Sequence, residues 1–379
     1  MEKMAAQGGR MKKIAFFTYI NPSPINAGGE PSGLPWEVIQ SLKRQGHTVD
    51  LHLVERGHSS RVTGTLHRYG LYLKKIDIDF SPYDFIIAYP ESFVGYLSRQ
   101  YRHKVIALGP DSPSLRDARI YKSASGWKKL YRWICYQWAL LHERQLLRDI
   151  KKMVVVGCTD ALWMKRNPYV AADDREKIVF LRHPILSEVV RAKLDDVKTS
   201  TQRRFVFAGF IDERFHRSFI EAIADALDEV GGEVKLQCIV LGKANRWMTE
   251  VFRRVRGCDM EYMDWIEDYN EVCMLGQDVH CLPIVTGAGT KNRTLTAIAN
   301  GLEVVTTPMG IENIMYKGLK GVYIASSARQ FAEKILYLCH SGASNTVSES
   351  WIKERMAFRA RTTRAYEEKL DEIMRDKAE

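Results

Sequence analysis

The chain has 379 residues, which is longer than one ordinary compact core and predicts two domains. Hydrophobic residues make up 45% and charged residues 27%, a composition that excludes a mainly disordered protein. No run approaches the ~20 apolar residues that a transmembrane helix needs. The formal charge of +10 favours a phosphate-bearing ligand, nucleic acid or an anionic membrane surface, and it does not choose among them.

The N-terminal half alternates strand-length apolar runs with helical patterns, which predicts a parallel sheet with crossover helices. Residues 1–10 precede a Met-Lys-Lys sequence and are expected to form a disordered extension. The basic and then apolar run of residues 12–20 resembles a signal peptide, but it is very short and has no cleavage-type sequence, so it is interpreted as the first strand. The strands of this half are expected at 12–19, 48–54, 84–89, 103–109, 152–157 and 177–181.

A glycine pair follows the first predicted strand. Gly28 and Gly29 precede a helical pattern and a Gly-His-x-Val turn into the second strand. Without a β-carbon, such a pair lets backbone N–H groups approach an oxyanion closely. The alternative is that the two glycines only shape the turn.

Two carboxylates follow neighbouring predicted strands. Asp111 comes after the strand that ends at Gly109, at the position where open α/β sheets place their chemistry. It is the first candidate for a catalytic carboxylate, and the alternative is a turn or N-cap aspartate beside a proline. Glu91, at the end of the preceding strand, is a second candidate for a ligand contact.

Residues 121–147 interleave aromatic and basic side chains. Basic residues near lipid headgroups and indoles at the boundary are typical of interfacial helices, so this segment is a candidate for contact with an anionic membrane surface. An aromatic face at helical spacing is also typical of an ordinary core, so both interpretations stay open. The residues concerned are Trp127, Trp133, Trp138, Tyr131, Lys128, Lys129 and Arg132.

The polar segment 195–203 is the expected hinge, because few apolar residues interrupt it. The C-terminal half then repeats the alternation of strands and helices. Residues 348–379 predict a long charged helix. The strands of this half are expected at 203–208, 234–241, 260–263, 278–284, 302–307 and 321–324.

A glycine-rich loop, a helix and a buried strand follow one another in residues 287–312, which read GAGTKNRTLTAIANGLEVVTTPMGIE. Gly287, Gly289 and Thr290 allow tight turns before the helix, whose first N–H groups and dipole favour a phosphate. Lys291 adds side-chain charge. The sequence therefore predicts an anion site.

The loop does not match the two commonest phosphate-binding motifs. The third glycine of a dinucleotide fingerprint would fall on Asn292, and no Gly-Lys-Ser/Thr follows at the spacing of a Walker A loop. The sequence therefore favours another way of holding a diphosphate.

This run resembles the C-terminal half of retaining nucleotide-sugar glycosyltransferases of the GT-B type, the group 1 or family 4-like enzymes. Their pattern has a glycine loop with a lysine, a small-residue helix ending in glycine, a valine-rich strand and Gly-x-Glu. The two glutamates that the family commonly carries correspond here to Ala288 and Thr296. The matching pieces are Gly287, Gly289, Lys291, Leu295, Thr296, Ala297, Gly301, residues 303–307, Gly310 and Glu312.

The resemblance implies two Rossmann-like domains facing a cleft. They would be an acceptor domain at 11–194 and a nucleotide-sugar donor domain at 204–347, and the helix of 348–379 would cross back to the first. It implies transfer of a sugar, with retention, from a nucleotide sugar to a hydroxyl of a glycan or lipid-linked glycan, in bacterial cell-surface polysaccharide or glycolipid biosynthesis. The enzyme would work in the cytoplasm, peripheral to the membrane, without a cofactor, a metal or a nucleic-acid partner.

The resemblance also implies roles for single residues. Asp111 would be catalytic and Glu91 would contact the acceptor. The family's arginine after the first strand of the donor domain is replaced by Phe210, and Arg214 is chosen to supply its charge, with His216 and Arg217 as alternatives. The residues expected to bind the donor or its diphosphate are Gly28, Gly29, Arg214, Gly287, Gly289, Thr290, Lys291, Asn292 and Glu312.

Two other functions stay open. The missing glutamates and Phe210 would also suit a GT-B-shaped protein that has lost transfer activity and serves as a binding or scaffold subunit. A sugar-nucleotide epimerase would have the same two-domain shape. It has less support, because the sequence offers no convincing set of paired acid and base residues.

Overall fold

The computed structural model describes residues 11–24, 32–54, 76–186, 202–231, 234–266, 269–341 and 348–375. The extension at 1–10, the pair Gly28 and Gly29, and residues 195–201 of the expected hinge lie outside the described residues. The chain divides into two compact units. Unit 1 comprises Met1–Pro184 with Arg364–Glu379, and unit 2 comprises Ile185–Thr363.

Unit 1 contains a six-stranded parallel sheet in the order β2-β1-β3-β4-β5-β6. Its central strands β3 and β4 are buried at every position, which is why they read as continuous apolar runs. All six strands predicted for this half are present. Their bounds are β1 (Lys13–Thr18), β2 (Thr48–Leu53), β3 (Phe85–Tyr89), β4 (Val105–Gly109), β5 (Lys152–Val155) and β6 (Ile178–Phe180).

Successive strand residues point to opposite sides of this sheet, so both faces carry apolar side chains that helices cover. Phe16 of β1 packs in one hydrophobic cluster and its neighbour Phe17 in another. The helices of unit 1 are α1 (Gly33–Arg44), α2 (Pro113–Ser123), α3 (Gly126–Asp149), α4 (Cys158–Lys165) and α5 (Ala172–Arg175), with 3₁₀ helices at Glu91–Tyr96 and Arg99–Lys104.

Unit 2 contains a second six-stranded parallel sheet in the order β12-β11-β10-β7-β8-β9. This is the Rossmann strand order, in which the chain runs outward from β7 and then returns to the middle at β10. The strands are β7 (Arg204–Phe207), β8 (Leu236–Leu241), β9 (Cys258–Met263), β10 (Asp278–Leu282), β11 (Glu303–Thr306) and β12 (Val322–Ile324).

The helices of unit 2 are α6 (Glu213–Val230), α7 (Trp247–Phe252), α8 (Asn292–Ala299) and α9 (Ala328–His340). Ile220 and Ile223 of α6 and Phe331 of α9 pack in the same cluster as Phe205 and Phe207 of β7. With two parallel sheets flanked by helices, the predicted pair of Rossmann-like domains is confirmed.

The last helix, α10 (Glu349–Met374), begins in unit 2 and ends in unit 1. In unit 1 its residues Tyr366, Leu370 and Ile373 join the hydrophobic cluster that also contains Phe16, at the i, i+4, i+7 spacing of one helix face. The Nζ of Lys152 donates a hydrogen bond of 2.6 Å to the Ile373 carbonyl. The last turns of α10 are therefore part of the unit 1 core.

Each sheet has a point where neighbouring strands connect in opposite directions. In unit 2 this point lies between β7 and β10, and in unit 1 between β1 and β3. Open α/β sheets bind ligands outside the carboxyl ends of the strands at such points. The segments after β7 and β10, and after β3 and β4, are therefore where the site residues are to be sought.

Candidate functional site

The segments that follow β7 and β10 meet through a glycine. Gly209 has a φ of 96°, and a Cβ on it would lie 3.0 Å from Cγ of Arg293 in α8. A side chain at position 209 would therefore crowd Arg293 and strain the backbone, so this position favours glycine. The amide of Asn245, which is fully buried, fixes the turn because it donates to the carbonyls of Gly209 (2.5 Å) and Leu241 (2.8 Å) and accepts from the N–H of Ile211 (3.1 Å).

The predicted glycine loop leads directly into α8. Gly287 and Gly289 have φ angles of 133° and 69°, which favour glycine. The Nζ of Lys291 donates hydrogen bonds to the carbonyls of Ala288 (2.7 Å) and Gly289 (3.0 Å), so its ammonium stays beside the loop. Lys291 is the N-cap of α8 and Asn292 its first residue. The first intrahelical bond runs from the N–H of Leu295 to the carbonyl of Lys291 (3.0 Å), and the N–H groups before it have no acceptor within the helix.

Two hydroxyl groups beside this loop have no hydrogen-bond partner among the described residues. They are the buried Oγ1 atoms of Thr286, in the segment after β10, and of Thr294, in the first turn of α8. Unpaired buried polar groups are rare in native proteins and need an explanation. A ligand with several acceptor oxygens would provide one.

His216, in the first turn of α6, is buried and lies within electrostatic range of Lys291 in the loop. It is 5% exposed, and its Nδ1 lies 2.8 Å from the carbonyl oxygen of Asp212. Its Nε2 is buried without a partner among the described residues. Burial lowers the pKa of His216, the Asp212 carbonyl and carboxylate oppose this effect, and the charge of Lys291 lowers the pKa further.

The two arginines near the start of α6 form ion pairs with acidic residues of the same segment. Arg214 is exposed, and its Nε and Nη2 lie 3.0 Å and 2.5 Å from the Asp212 carboxylate, so its hydrogen bonds lower the pKa of Asp212. Arg217 pairs with Glu213 and Glu221 along the exposed helix face. Arg214, the predicted replacement for the family's arginine, is thus exposed and paired, whereas His216 is buried, and Phe210 is 75% exposed.

The segment after β11 is fixed by hydroxyl bonds. Oγ1 of Thr306 donates to the Leu282 carbonyl (3.0 Å), and Oγ1 of Thr307 accepts from the N–H of Gly310 (3.0 Å). A Cβ on Gly310 would lie 2.1 Å from Oγ1 of Thr306, so only glycine fits. Glu312, half-buried in the turn that follows, does not cap the next helix, because α9 is capped by Ser327.

In unit 1, the structure brings the two predicted carboxylates together, because β3 and β4 are neighbours in the sheet. Glu91 is 8% exposed, and its Oε2 has no hydrogen-bond partner among the described residues. Burial, with a smaller contribution from the negative charge of Asp111, raises the pKa of Glu91 to about 8. Glu91 is therefore mainly protonated at pH 7. Asp111 lies 3.6 Å from Nη1 of Arg116, whose Nε lies 3.9 Å from Asp117.

The turn that carries Asp111 is held by two buried carboxylates that the sequence patterns did not indicate. Glu143 of α3 accepts from Oγ of Ser112 (2.9 Å), from the N–H and Oγ of Ser114 (3.1 and 2.8 Å) and from Nδ2 of Asn167 (3.2 Å). Asp160 of α4 accepts from the N–H of Ser112 (2.8 Å). The available sequence signal was a glutamate on the apolar side of a helix.

The three tryptophans of α3 and Tyr131 are exposed, so the core interpretation of this segment is wrong for them. Trp127 is 76% exposed, and Trp133 and Trp138 are also exposed, whereas the opposite face buries Leu140 and Leu147. The exposed apolar stripe of α3 recurs at helical spacing, with Lys128 and Lys129 beside it. It consists of Trp127, Leu130, Tyr131, Ile134, Trp138 and Leu141.

Within the described part of the chain, no group of three or more His, Cys, Asp or Glu side chains is arranged to hold a metal ion. The same residues include no helix with the length and hydropathy needed to cross a membrane.

Part of this chain matches one protein-family model, and the chain shares its fold with solved structures. Residues 202–341 match the model described as Glycosyl transferases group 1. A glycosyltransferase from Rickettsia africae ESF-5 is 14% identical, with 96% of this chain and 98% of that chain covered and a TM-score of 0.58. No curated protein matches.

Two further solved structures share the fold. HepE from Anabaena, in complex with UDP-glucose, is 10% identical, with 96% and 99% of the two chains covered and a TM-score of 0.56. WaaG, a glycosyltransferase involved in lipopolysaccharide biosynthesis, is 14% identical, with 95% and 98% covered and a TM-score of 0.58. Residues 202–341 thus match the group 1 glycosyltransferases, and the chain as a whole has the GT-B fold of these solved structures.

Proposed function

We propose that this glycosyltransferase moves a sugar, with retention, from a nucleotide sugar held by unit 2 to a hydroxyl group of a glycan or lipid-linked glycan held by unit 1. The biological setting would be bacterial surface polysaccharide or glycolipid assembly. This setting is supported by the likeness to WaaG, a glycosyltransferase involved in lipopolysaccharide biosynthesis. A uridine diphosphate sugar is the first donor to test because HepE was solved with UDP-glucose.

The start of α8 carries the proposal. Breaking the bond between the sugar and the diphosphate leaves negative charge on the departing phosphate oxygen. The N–H groups of Gly289 and Thr290, the N–H groups of the first turn of α8 and the ammonium of Lys291 would stabilise that charge. Because the loop and the helix fix these donors in advance, they need little reorganisation when the charge develops.

The acceptor would be held by the ends of β3 and β4. Glu91, protonated at neutral pH because of its raised pKa, has a proton with which it can donate a hydrogen bond to a sugar hydroxyl. Asp111 would lie near the reacting sugar carbon, where the Arg116 ion pair holds its carboxylate. Ser112, the residue next to Asp111, is held in place because it donates hydrogen bonds to Glu143 and Asp160.

A membrane surface is the proposed location of the acceptor. The exposed apolar stripe of α3 would enter the boundary of an anionic bilayer, and Lys128 and Lys129 would reach its phosphates. Lys129 also lines a shallow depression with Tyr121, Leu130 and Trp133 that could take a headgroup. We propose that the enzyme works in the cytoplasm at this surface, with no nucleic-acid partner.

The test begins with a thermal-shift screen of uridine, guanosine, thymidine and adenosine diphosphate sugars, because a ligand that binds only the folded state raises the melting temperature. Each stabilising donor is then incubated, radiolabelled in the sugar, with lipid-linked and free glycan acceptors. The proposal expects one donor to stabilise the protein and to label an acceptor with the donor's anomeric configuration. An inverted product would contradict retention, and binding without transfer would instead support a binding subunit.

A further inference from the structure

His216 is buried, yet one of its two ring nitrogens has no hydrogen-bond partner among the described residues. Its ring is 5% exposed at the start of α6, where the segment after β7 meets the glycine loop. One nitrogen, Nδ1, is 2.8 Å from the Asp212 carbonyl. The other, Nε2, is buried and has no partner among the described residues.

The Asp212 carbonyl sets the tautomer. Because a carbonyl oxygen can only accept, the proton of the neutral imidazole lies on Nδ1 and Nε2 has a bare lone pair. A bare nitrogen would repel a phosphate oxygen, whereas a protonated Nε2 would donate a charged hydrogen bond to it. Contact with an anion therefore requires uptake of a proton.

The charged groups that face this ring are few. Asp212, at the N-cap of the same helix, favours the imidazolium, and Lys291, from the segment after β10, disfavours it. The Asp212 carboxylate is itself neutralised by Arg214 at 2.5 Å. Burial adds to the effect of Lys291, so the unliganded ring is mainly neutral at pH 7.

We propose that Nε2 of His216 binds the donor's diphosphate, and that the ring takes up one proton from solvent when the diphosphate arrives. This inference rests on the proposed donor site and goes beyond it by adding a residue and a proton. No bond of the donor breaks in this step. Because Nε2 is buried, the atoms that cover it must move when the diphosphate binds, and the negative charge of the diphosphate then stabilises the imidazolium.

The sign of the pH dependence follows. Below the pKa of the free ring, His216 is already protonated and donor affinity is constant. Between the pKa of the free ring and the higher pKa of the bound ring, affinity falls as the pH rises, by up to about tenfold per pH unit. Above the bound-state pKa, affinity is again constant and low.

The experiment is calorimetric titration of the wild-type protein with the nucleotide sugar that the thermal-shift screen selects, starting with UDP-glucose. Titrations near pH 7 in two non-phosphate buffers with different ionisation heats give the number of protons taken up. His216→Gln offers an amide donor that needs no proton, and His340→Gln, on α9, is the matched control. Circular dichroism and the melting temperature show whether each variant is folded, and His216→Asn serves as a second variant.

The expected result is uptake of up to one proton by the wild type and by His340→Gln, and none by His216→Gln. The His216→Gln affinity should be independent of pH and about tenfold weaker than that of the wild type at pH 6, because a charged hydrogen bond is replaced by a neutral one. Donor binding without proton uptake, or uptake that persists in His216→Gln, would overturn this inference alone. Failure of every nucleotide sugar to bind would overturn the proposed function as well.

Discussion

Oε2 of Glu91 occupies space that a side chain on Gly109 would need, since a Cβ at position 109 would lie 3.1 Å from it. The carboxyl group is therefore pressed against the backbone at the end of β4, away from water. This position explains why the pKa of Glu91 is raised to about 8.

Replacing Glu91 by Gln should change how stability depends on pH. In the unfolded chain Glu91 ionises near its ordinary pKa of 4.5, but in the folded protein it keeps its proton up to a pKa of about 8. The folded state therefore binds more protons between these values, and wild-type stability falls as the pH rises, by at most about 1.4 kcal/mol per pH unit. Glu91→Gln has no carboxyl group to ionise at this position, so its stability should not fall with pH for this reason.

Urea unfolding at pH 5 and pH 8 measures the effect. From pH 5 to pH 8, the free energy of unfolding of Glu91→Gln should rise relative to that of the wild type. Glu333→Gln, exposed on α9, should show no such rise. A pH-independent difference between Glu91→Gln and the wild type would contradict a protonated Glu91.

Replacing Lys291 by Ala should reduce sugar transfer more than it reduces stability. The Nζ of Lys291 donates to two carbonyls of its own loop, and Lys291 is not among the residues of the hydrophobic cluster that contains Leu295 and Ile298 of α8. Loss of one preorganised cation at a developing charge typically lowers turnover about 100-fold. Radiolabelled transfer and melting temperature are compared with Lys334→Ala on α9, for which transfer should be unchanged. Full activity of Lys291→Ala would remove this residue from the site.

Replacing Glu143 by Ala should destabilise unit 1 by about 3 kcal/mol, because the buried donors of Ser112, Ser114 and Asn167 lose their acceptor. Gln145→Ala, on the exposed face of the same helix, should change stability by less than about 0.5 kcal/mol. Urea unfolding monitored by circular dichroism gives both values. Equal stability of the two variants would show that the Ser112 turn does not depend on Glu143.

Replacing Trp127 and Trp138 by Ser should abolish binding to anionic membranes. Both indoles are exposed, so the substitutions should leave the melting temperature unchanged. Cosedimentation with vesicles of phosphatidylglycerol and phosphatidylcholine measures binding, and Trp265→Ser, also exposed, is the matched control. Binding should weaken at high salt because Lys128 and Lys129 contribute electrostatically. If the double variant binds vesicles normally, or if the wild type instead dimerises through this face, the membrane proposal fails.

Removing divalent cations should leave transfer intact, because the proposed leaving-group stabilisation uses backbone N–H groups, Lys291 and His216. Transfer is measured in excess chelator and again after Mg²⁺ or Mn²⁺ is added back. Activity within about twofold in all three conditions is expected, within the ordinary scatter of such assays. Loss of transfer in chelator and its recovery with a metal would show that this scheme is incomplete.

The fold could be predicted from the sequence because it depends on local patterns. The buried strands β3 and β4 are continuous apolar runs, and the glycines at 287 and 289 have the positive φ angles that only glycine adopts freely. These features depend on residues that are close together in the chain, so the strands and the loop before α8 could be predicted without information from distant positions.

The site was less predictable because side-chain partners come from distant positions. Arg214 stays a prediction for the replacement of the missing arginine, and nothing in the sequence indicated that it pairs with Asp212 or that His216 is buried. Glu143 supports a turn some thirty residues earlier, which only the packing of α3 on α2 reveals. The exposure of Trp127 likewise depends on which face of α3 the rest of unit 1 covers.

The most direct test of the donor site is a crystal structure of the protein soaked with the nucleotide sugar that stabilises it most. The account predicts that the diphosphate lies at the start of α8, within hydrogen-bond distance of the Gly289 and Thr290 N–H groups, of Nζ of Lys291 and of Nε2 of His216. A diphosphate bound elsewhere in unit 2, with these groups untouched, would contradict it.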